Sequence, residues 1–422
     1  MYIKYIHIKF RCNQSVTNQL VTNQLVSFLK ISVYLQQNEH FIPMETTESP
    51  FIFGRKAIGN SFTDREKETA RLISNFKNRV NTVLISPRRW GKSSLVKKAG
   101  DLSNSDTLKV IYIDAFSLRD ATEFYTVLAT EVIKSTSNTM ETWVEHVRRF
   151  FSRLSPRFSF GPDPLNSFEL SFELESVERN YQEILDLPEK IAFDKGIRLV
   201  ICIDEFQDTA NFGEAALFHK RLRTAWQNHQ LVTYCIYGSK QHMMSALFEK
   251  QSMPFYKFGE NIHLNKIPAS DWVSFIIEKF EQTGRSISES IAMKIATTVK
   301  CHSYYVQQLS HLVWQRTSNI AEEVVFTAAL DDLLAQNDML YQRETELLSD
   351  SQLNFLKSMA AGISNGYTNK DILQKYKLGS SANVSKIKKA LIEKEFIQFN
   401  GKSAEFLDPA YELWFSREIM KK

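Results

Sequence analysis

The chain has 422 residues, 43% of them hydrophobic and 24% charged, which is ordinary for a globular protein with enough length for two or three domains. Its four cysteines (Cys12, Cys202, Cys235, Cys301) are scattered without a C-x-x-C pair, which excludes a zinc knuckle or disulfide framework and fits a reducing interior. The formal net charge of +4 is too small to identify a partner, so any basic surface has to be local. No apolar run reaches the roughly 18 residues a membrane span needs, and no small-residue cleavage site follows the N-terminus, so a cytoplasmic location is expected.

Residues 1–43 read differently from the rest. Val16–Leu20 is repeated at once as Val21–Leu25 ("VTNQLVTNQL"), with no helical or strand period that its neighbours continue, and a second methionine follows at Met44. The segment reads as a translated upstream extension or a disordered tail, with a partner-binding arm as the alternative.

Residues 44–268 alternate apolar strand-like runs with helical stretches. The runs are "TVLIS" (Thr82–Ser86), "KVIYID" (Lys109–Asp114), "LVICID" (Leu199–Asp204), "LVTYCIYG" (Leu231–Gly238) and "NIHLNKI" (Asn261–Ile267). Short β-branched runs separated by helices predict a parallel sheet covered on both faces, an α/β class. Between about residues 152 and 180, three prolines and the alternating "FELSFELE" predict an inserted loop with a small hairpin. Residues 269–348 become helical, with apolar groups three and four apart, as a lid would be. Residues 349–422 then read as three short helices and two alternating runs joined by Asn400-Gly401, the order of a winged helix.

The stretch "ISPRRWGKSSLV" sits between the first run and a helix. Backbone N–H groups at such a helix N-terminus surround phosphates, so Ser86, Pro87, Arg88, Arg89, Trp90, Gly91, Lys92, Ser93 and Ser94 are the expected nucleotide loop. Gly91 allows close approach, Lys92 reaches the β- and γ-phosphates, and the Ser93 hydroxyl suits Mg²⁺. Ser86 stands where the usual pattern has its first glycine. "LVICIDEFQD" ends a strand on Asp204, suited to hold magnesium, and Glu205, suited to orient and deprotonate an attacking water. "YCIYGS" ends in Ser239, which meets the γ-phosphate if its strand lies between the first and third.

These motifs, with "FTDREKETARL" before them and "LDPAYELWF" at the end, resemble the archaeal-type ATPases, a prokaryotic branch of P-loop ATPases near the AAA+ and STAND proteins. The resemblance runs from about Phe51 to the C-terminus. It implies an ATP-binding, Mg²⁺-dependent ATPase with a helical lid and a C-terminal winged helix. It maps an adenine-proximal Phe-x-x-Arg-Glu motif onto Phe62, Arg65 and Glu66, and an Asp-Pro-x-x-x-x-Trp ending onto Asp408, Pro409 and Trp414. Where many relatives carry an arginine acting on a neighbour's nucleotide, this chain has Lys257, which offers a point charge rather than a bidentate fork.

Partners are less determined. Between Lys370 and Lys402 eight lysines face three acids, and Lys386, Lys388 and Lys389 are expected outside a helix whose Val384, Ile387 and Leu391 are buried. Such a helix suits duplex DNA phosphates. The alternatives are a nucleotide-modulated DNA-binding regulator and a slow ATP-dependent signalling switch whose winged helix docks a protein; a homo-oligomer also remains open.

Overall fold

The computed structural model describes residues 48–55, 65–137, 149, 151, 157–160, 168–171 and 174–421; the duplicated N-terminal segment and Phe62 lie outside the described residues. Met1–Glu48 and Ser49–Lys422 are separate units, and every described helix and strand belongs to the second.

Five parallel strands carry the first half: β1 (Thr82–Ile85), β2 (Leu108–Asp114), β5 (Arg198–Asp204), β6 (Val232–Gly238) and β7 (Glu260–His263), in the order β2-β5-β6-β1-β7. All four residues of β1 and all seven of β6 are buried, which is why they read as continuous apolar runs rather than alternating ones. Successive residues still divide between two faces. Leu84, Cys202 and Cys235 pack with Leu72, Leu95 and Val96 from α1 (Glu66–Asn78) and α2 (Lys92–Ser103). On the opposite face Val83, Ile201 and Ile236 pack with Phe124 and Leu128 of α3 (Ala121–Thr136), Ile184 and Leu185 of α4 (Leu174–Lys195), and Phe218 and Leu222 of α5 (Ala215–Trp226). Helix α6 (Gln241–Phe248) follows β6 directly.

The insertion does contain an antiparallel hairpin, β3 (Arg157–Phe160) with β4 (Phe168–Ser171). The alternating "FELSFELE" contributes only its first half, because Leu174 already begins α4, a helix broken at Asn180 and carrying Pro188.

After β7 come α7 (Ala269–Glu281), α8 (Glu289–Thr298), α9 (Ser303–Arg316) and α10 (Glu323–Glu346), with a small parallel pair, β8 (Ser286–Ile287) and β9 (Ile320–Ala321), between them. Helices α11 (Asp350–Ala360), α12 (Lys370–Lys375) and α13 (Ser381–Glu393) and the hairpin β10 (Ile397–Asn400) with β11 (Ser403–Phe406) form the winged helix, closed by α14 (Pro409–Glu418). Asn400 pairs with Ser403, so the turn residues are Gly401 and Lys402 rather than Asn400-Gly401. Gly401 takes the required positive φ of 61°. One apolar cluster joins the lid and the winged helix: Trp272, Ile295, Leu309 and Leu333 share it with Leu356, Ile387, Leu391 and Trp414.

The Asp-Pro-x-x-x-x-Trp ending has a clear physical job in this junction. Asp408 caps α14 by accepting from the Ala410 and Tyr411 amides, and Pro409 fills the first turn, where a missing N–H costs nothing. The same carboxylate accepts the hydroxyls of Tyr305 in α9 and Tyr341 in α10, while the Trp414 indole donates to Asp338 at 2.7 Å. Asp408→Ala should therefore lower stability by about 2–4 kcal/mol, the sum expected for one lost cap and one hydroxyl left without an acceptor, since Tyr305 and Tyr341 still bond each other. Urea unfolding measures this; a loss under about 0.5 kcal/mol would mean the carboxylate does not hold the junction.

Candidate nucleotide site

The sheet order sets the site. Strand β6 pairs with β1 on one side and β5 on the other, so the ends of all three open at one edge. The loop after β1 leads into α2, capped by Gly91 at φ 89°, a backbone angle that favours glycine. Ser86 is fully buried and lies outside the positive-φ residues of the loop, which are Arg89 (63°) and Gly91. Its amide donates to Gly238 O at 3.4 Å, and its hydroxyl donates to Pro87 O at 3.0 Å. The conformation needs no glycine at that position, so the departure from the usual pattern is sterically neutral.

At the open edge Lys92 Nζ donates to Glu205 Oε1 at 2.7 Å, and the Ser93 hydroxyl donates to Asp204 Oδ2 at 2.7 Å. The Ser239 amide and hydroxyl both donate to Glu205 Oε2, at 3.0 and 2.8 Å. The side chains singled out at the ends of three different strands, or in the helix just after one, thus meet within single hydrogen bonds. The two adjacent carboxyls are driven apart. Burial raises the Asp204 pKa, only partly countered by Lys92 and the Ser93 hydroxyl. Burial acts the same way on Glu205, but the Lys92 charge and the hydrogen bonds from Lys92, Gln207 and Ser239 outweigh it and hold its pKa at about 2.

Beside these groups lies a cavity of about 400 Å³ whose walls include Trp90, Gly91, Lys92, Ser93 and Ser94. Arg65 also lines it; its guanidinium reaches Glu68 at 3.1 Å and Trp90 O at 3.5 Å. The far wall comes from residues that no motif marked: Phe53, Gly54 and Arg55 before the core, and Tyr304 and Gln307 at the start of α9. Gln307 Oε1 accepts the Ile52 amide at 3.2 Å, and Arg89 stacks over the Tyr304 ring at 4.4 Å. The pair Phe51 and Phe53 just before Gly54 was the available signal, but nothing in the sequence brings together residues 255 positions apart.

Two loop residues face away from that cavity. Pro87 lines a groove shared with Ser239 and the winged-helix hairpin, and Arg88 reaches Glu395, just before β10, at 3.6 Å. Lys257 is exposed, with its ammonium over the Tyr256 ring, away from the cavity. In α13, Val384, Ile387 and Leu391 are buried and Lys386 and Lys389 are exposed. Lys388 departs from expectation. It lies four residues after Val384, on the inner edge of the helix, with its ammonium 5.0 Å from the rings of both Tyr367 and Phe399.

A five-stranded parallel sheet with a phosphate loop after β1 and an acidic pair after β5 defines a P-loop nucleoside triphosphatase. Within that class the chain belongs to the family of ATPase domains found predominantly in Archaea, whose model matches residues 62–294. A second model, described as a "probable winged helix domain", matches residues 339–417. Among solved structures, a Walker-type ATPase of Pyrococcus abyssi is similar at 16% identity and TM-score 0.60, over 86% of this chain and 99% of that one. The ORC2 protein of Aeropyrum pernix, in ADPNP–ADP complexes, is similar at 16% identity and TM-score 0.55, over 88% and 100%. At such identities the likeness is one of fold. No curated protein matches. Among the described residues no helix is long and apolar enough to cross a membrane.

The Lys92–Glu205 pair has a stability consequence, since its side chains are only 7% and 18% exposed. Lys92→Met strands a largely buried carboxylate and should cost about 1–3 kcal/mol, below the range for fully buried pairs because Glu205 keeps some solvent. Adding Glu205→Gln should recover most of that loss. Because Glu205 is held below its ordinary pKa, the contribution is complete above about pH 4.5 and fades as pH falls toward 2. Thermal melts of both variants at pH 7 test this; equal losses in the single and double variants would refute the coupling.

Proposed function

We propose that this ATPase hydrolyses ATP with Mg²⁺ through Lys92, Ser93, Asp204, Glu205 and Ser239, and passes its nucleotide state to the winged helix through Arg88. The observation that carries the chemistry is Glu205 held between Lys92 and Ser239 at the mouth of the phosphate loop. Lys92 Nζ turns to the β- and γ-phosphates, and the first amides of α2 surround them. Glu205, ionised at neutral pH, then accepts a proton from the attacking water, while Ser239 donates to the γ-phosphate and fixes its place. Ser93 Oγ and Asp204 Oδ2 are hard oxygen donors in contact, which fits Mg²⁺ held by one hydroxyl and one carboxylate. The ion would neutralise charge on the β- and γ-phosphates. Trp90, Arg65 and Tyr304 form the walls for base and sugar.

The relay rests on Arg88. It belongs to the phosphate loop yet pairs with Glu395 at the root of the winged-helix hairpin, so movement of the loop on binding phosphate is felt there. Reading the winged helix as a duplex DNA contact is supported by Lys386 and Lys389, which project from α13 into solvent; Lys388 is better placed to pack than to touch a phosphate.

Glu205→Gln should keep ATP affinity and lower turnover by roughly tenfold to a thousandfold, the range for removing a general base; unchanged turnover would make the acidic strand structural. Lys386→Glu with Lys389→Glu should weaken duplex binding and flatten its salt dependence, because fewer counterions are released. Equal binding, or none in the wild type at low salt, would make the winged helix a protein-docking module. Glu395→Lys should abolish any ATP-dependent change in hydrogen exchange at β10 and β11, and Arg88→Glu added to it should restore that change. A response untouched by either would break the relay.

A further inference from the structure

Glu205 is held from one side by a residue that the proposed hydrolysis does not use. Gln207 follows it by two positions, in the 3₁₀ segment Phe206–Asn211, and is fully buried. Its Nε2 donates to Glu205 Oε2 at 2.6 Å and lies 3.3 Å from Asp208 Oδ2, while Asp208 Oδ1 accepts from Lys240 at 3.1 Å. We propose that Gln207 is a positioning residue for ATP hydrolysis: its buried amide fixes the Glu205 carboxylate against Ser239, in a slot kept open by Gly238. The proposal rests on Glu205 being the base.

Three observations carry it. The first is orientation. Gln207 Oε1 is buried with no hydrogen-bond partner, an arrangement that costs stability. Turning the amide over would set that oxygen against the Glu205 carboxylate at the same 2.6 Å, oxygen to oxygen. The carboxylate therefore dictates which way the amide faces, and the molecule tolerates a stranded carbonyl to keep it so. The second is space. A Cβ at position 238 would stand 2.0 Å from Gln207 Oε1, and Gly238 ends the strand whose next residue is Ser239. The third is backbone. Glu205 sits at φ 47° and ψ 40°, a left-handed conformation unusual for a residue with a side chain, so its carboxylate needs external support to stay aimed. When Lys92 turns to phosphate, Oε1 loses its partner and the grip on Oε2 is what remains.

Around this grip stand Lys92, Asp204, Asp114 at the end of β2, Asp208 and Lys240. A carboxyl at position 207 would join that set and copy the amide only when protonated, since a protonated carboxyl donates and an ionised one cannot. The test compares full-length Gln207→Leu, Gln207→Glu, Glu205→Gln and the Glu205→Gln/Gln207→Leu double variant in steady-state ATP turnover and fluorescent-nucleotide binding. Gln207→Leu should lose on the order of tenfold to a hundredfold in kcat, as misplacements of about 1 Å do, with nucleotide affinity retained. The double variant should be no slower than Glu205→Gln alone. Gln207→Glu should be slow at pH 8 and recover toward the wild type as pH falls to about 5.5, while Gln207→Leu stays flat relative to it. Wild-type kcat in Gln207→Leu, multiplied losses in the double variant, or a Gln207→Glu profile parallel to the wild type would each overturn the proposal. Should Gln207→Leu fail to fold, the Gln207→Glu profile decides. Wild-type turnover in Glu205→Gln would instead overturn the base assignment on which it stands.

Discussion

A parallel strand buried on both faces has only its ends to offer to chemistry, and the order β2-β5-β6-β1-β7 decides which ends are neighbours. Because β6 lies between β1 and β5, a lysine after β1, a carboxylate after β5 and a hydroxyl after β6 arrive at one point. Each of those residues is separated from the others by more than thirty positions in the chain. No local preference of the site residues produces this. It comes from the apolar content of the strand interiors, which fixes which surfaces the flanking helices cover.

That burial then sets the charges. Asp204 and Glu205 are consecutive, share a largely buried environment and are displaced in opposite directions: burial dominates at Asp204, while Lys92, Gln207 and Ser239 reverse its effect at Glu205. The difference is one of hydrogen-bond supply. Four donated contacts converge on the Glu205 oxygens, against the Ser93 hydroxyl and one backbone amide at Asp204.

Much of the α/β half was legible because strands buried on both faces are written as unbroken apolar runs, and because Gly91-Lys92-Ser93 follows the first of them at once. Three features were not. The second half of "FELSFELE" alternates like a strand, yet from Leu174 the chain is helical, and Ile184, Leu185 and Ile191 of that helix share a core with Phe124 and Leu128 of α3. Lys388 reads as solvent-facing by its charge, but a lysine stem is apolar enough to lie between Tyr367 and Phe399. The far wall of the cavity beside the loop is assembled from Phe53 and Tyr304, whose proximity depends on tertiary packing and has no local periodic signature.

Phe51 adds something about the connectivity of the molecule. It packs on Phe275 and Phe280 of the lid, within the same apolar cluster as Ile267, where the chain leaves the α/β half. The ATPase sheet is thus an excursion of the chain between two points anchored on one body. An enzyme wired this way has no free flank: opening the cleft between sheet and lid flexes both tethers together. The cleft therefore resists twisting more than a single strand of connection would, and the cavity beside Lys92 takes wall residues from both tethers, Phe53 and Ile267.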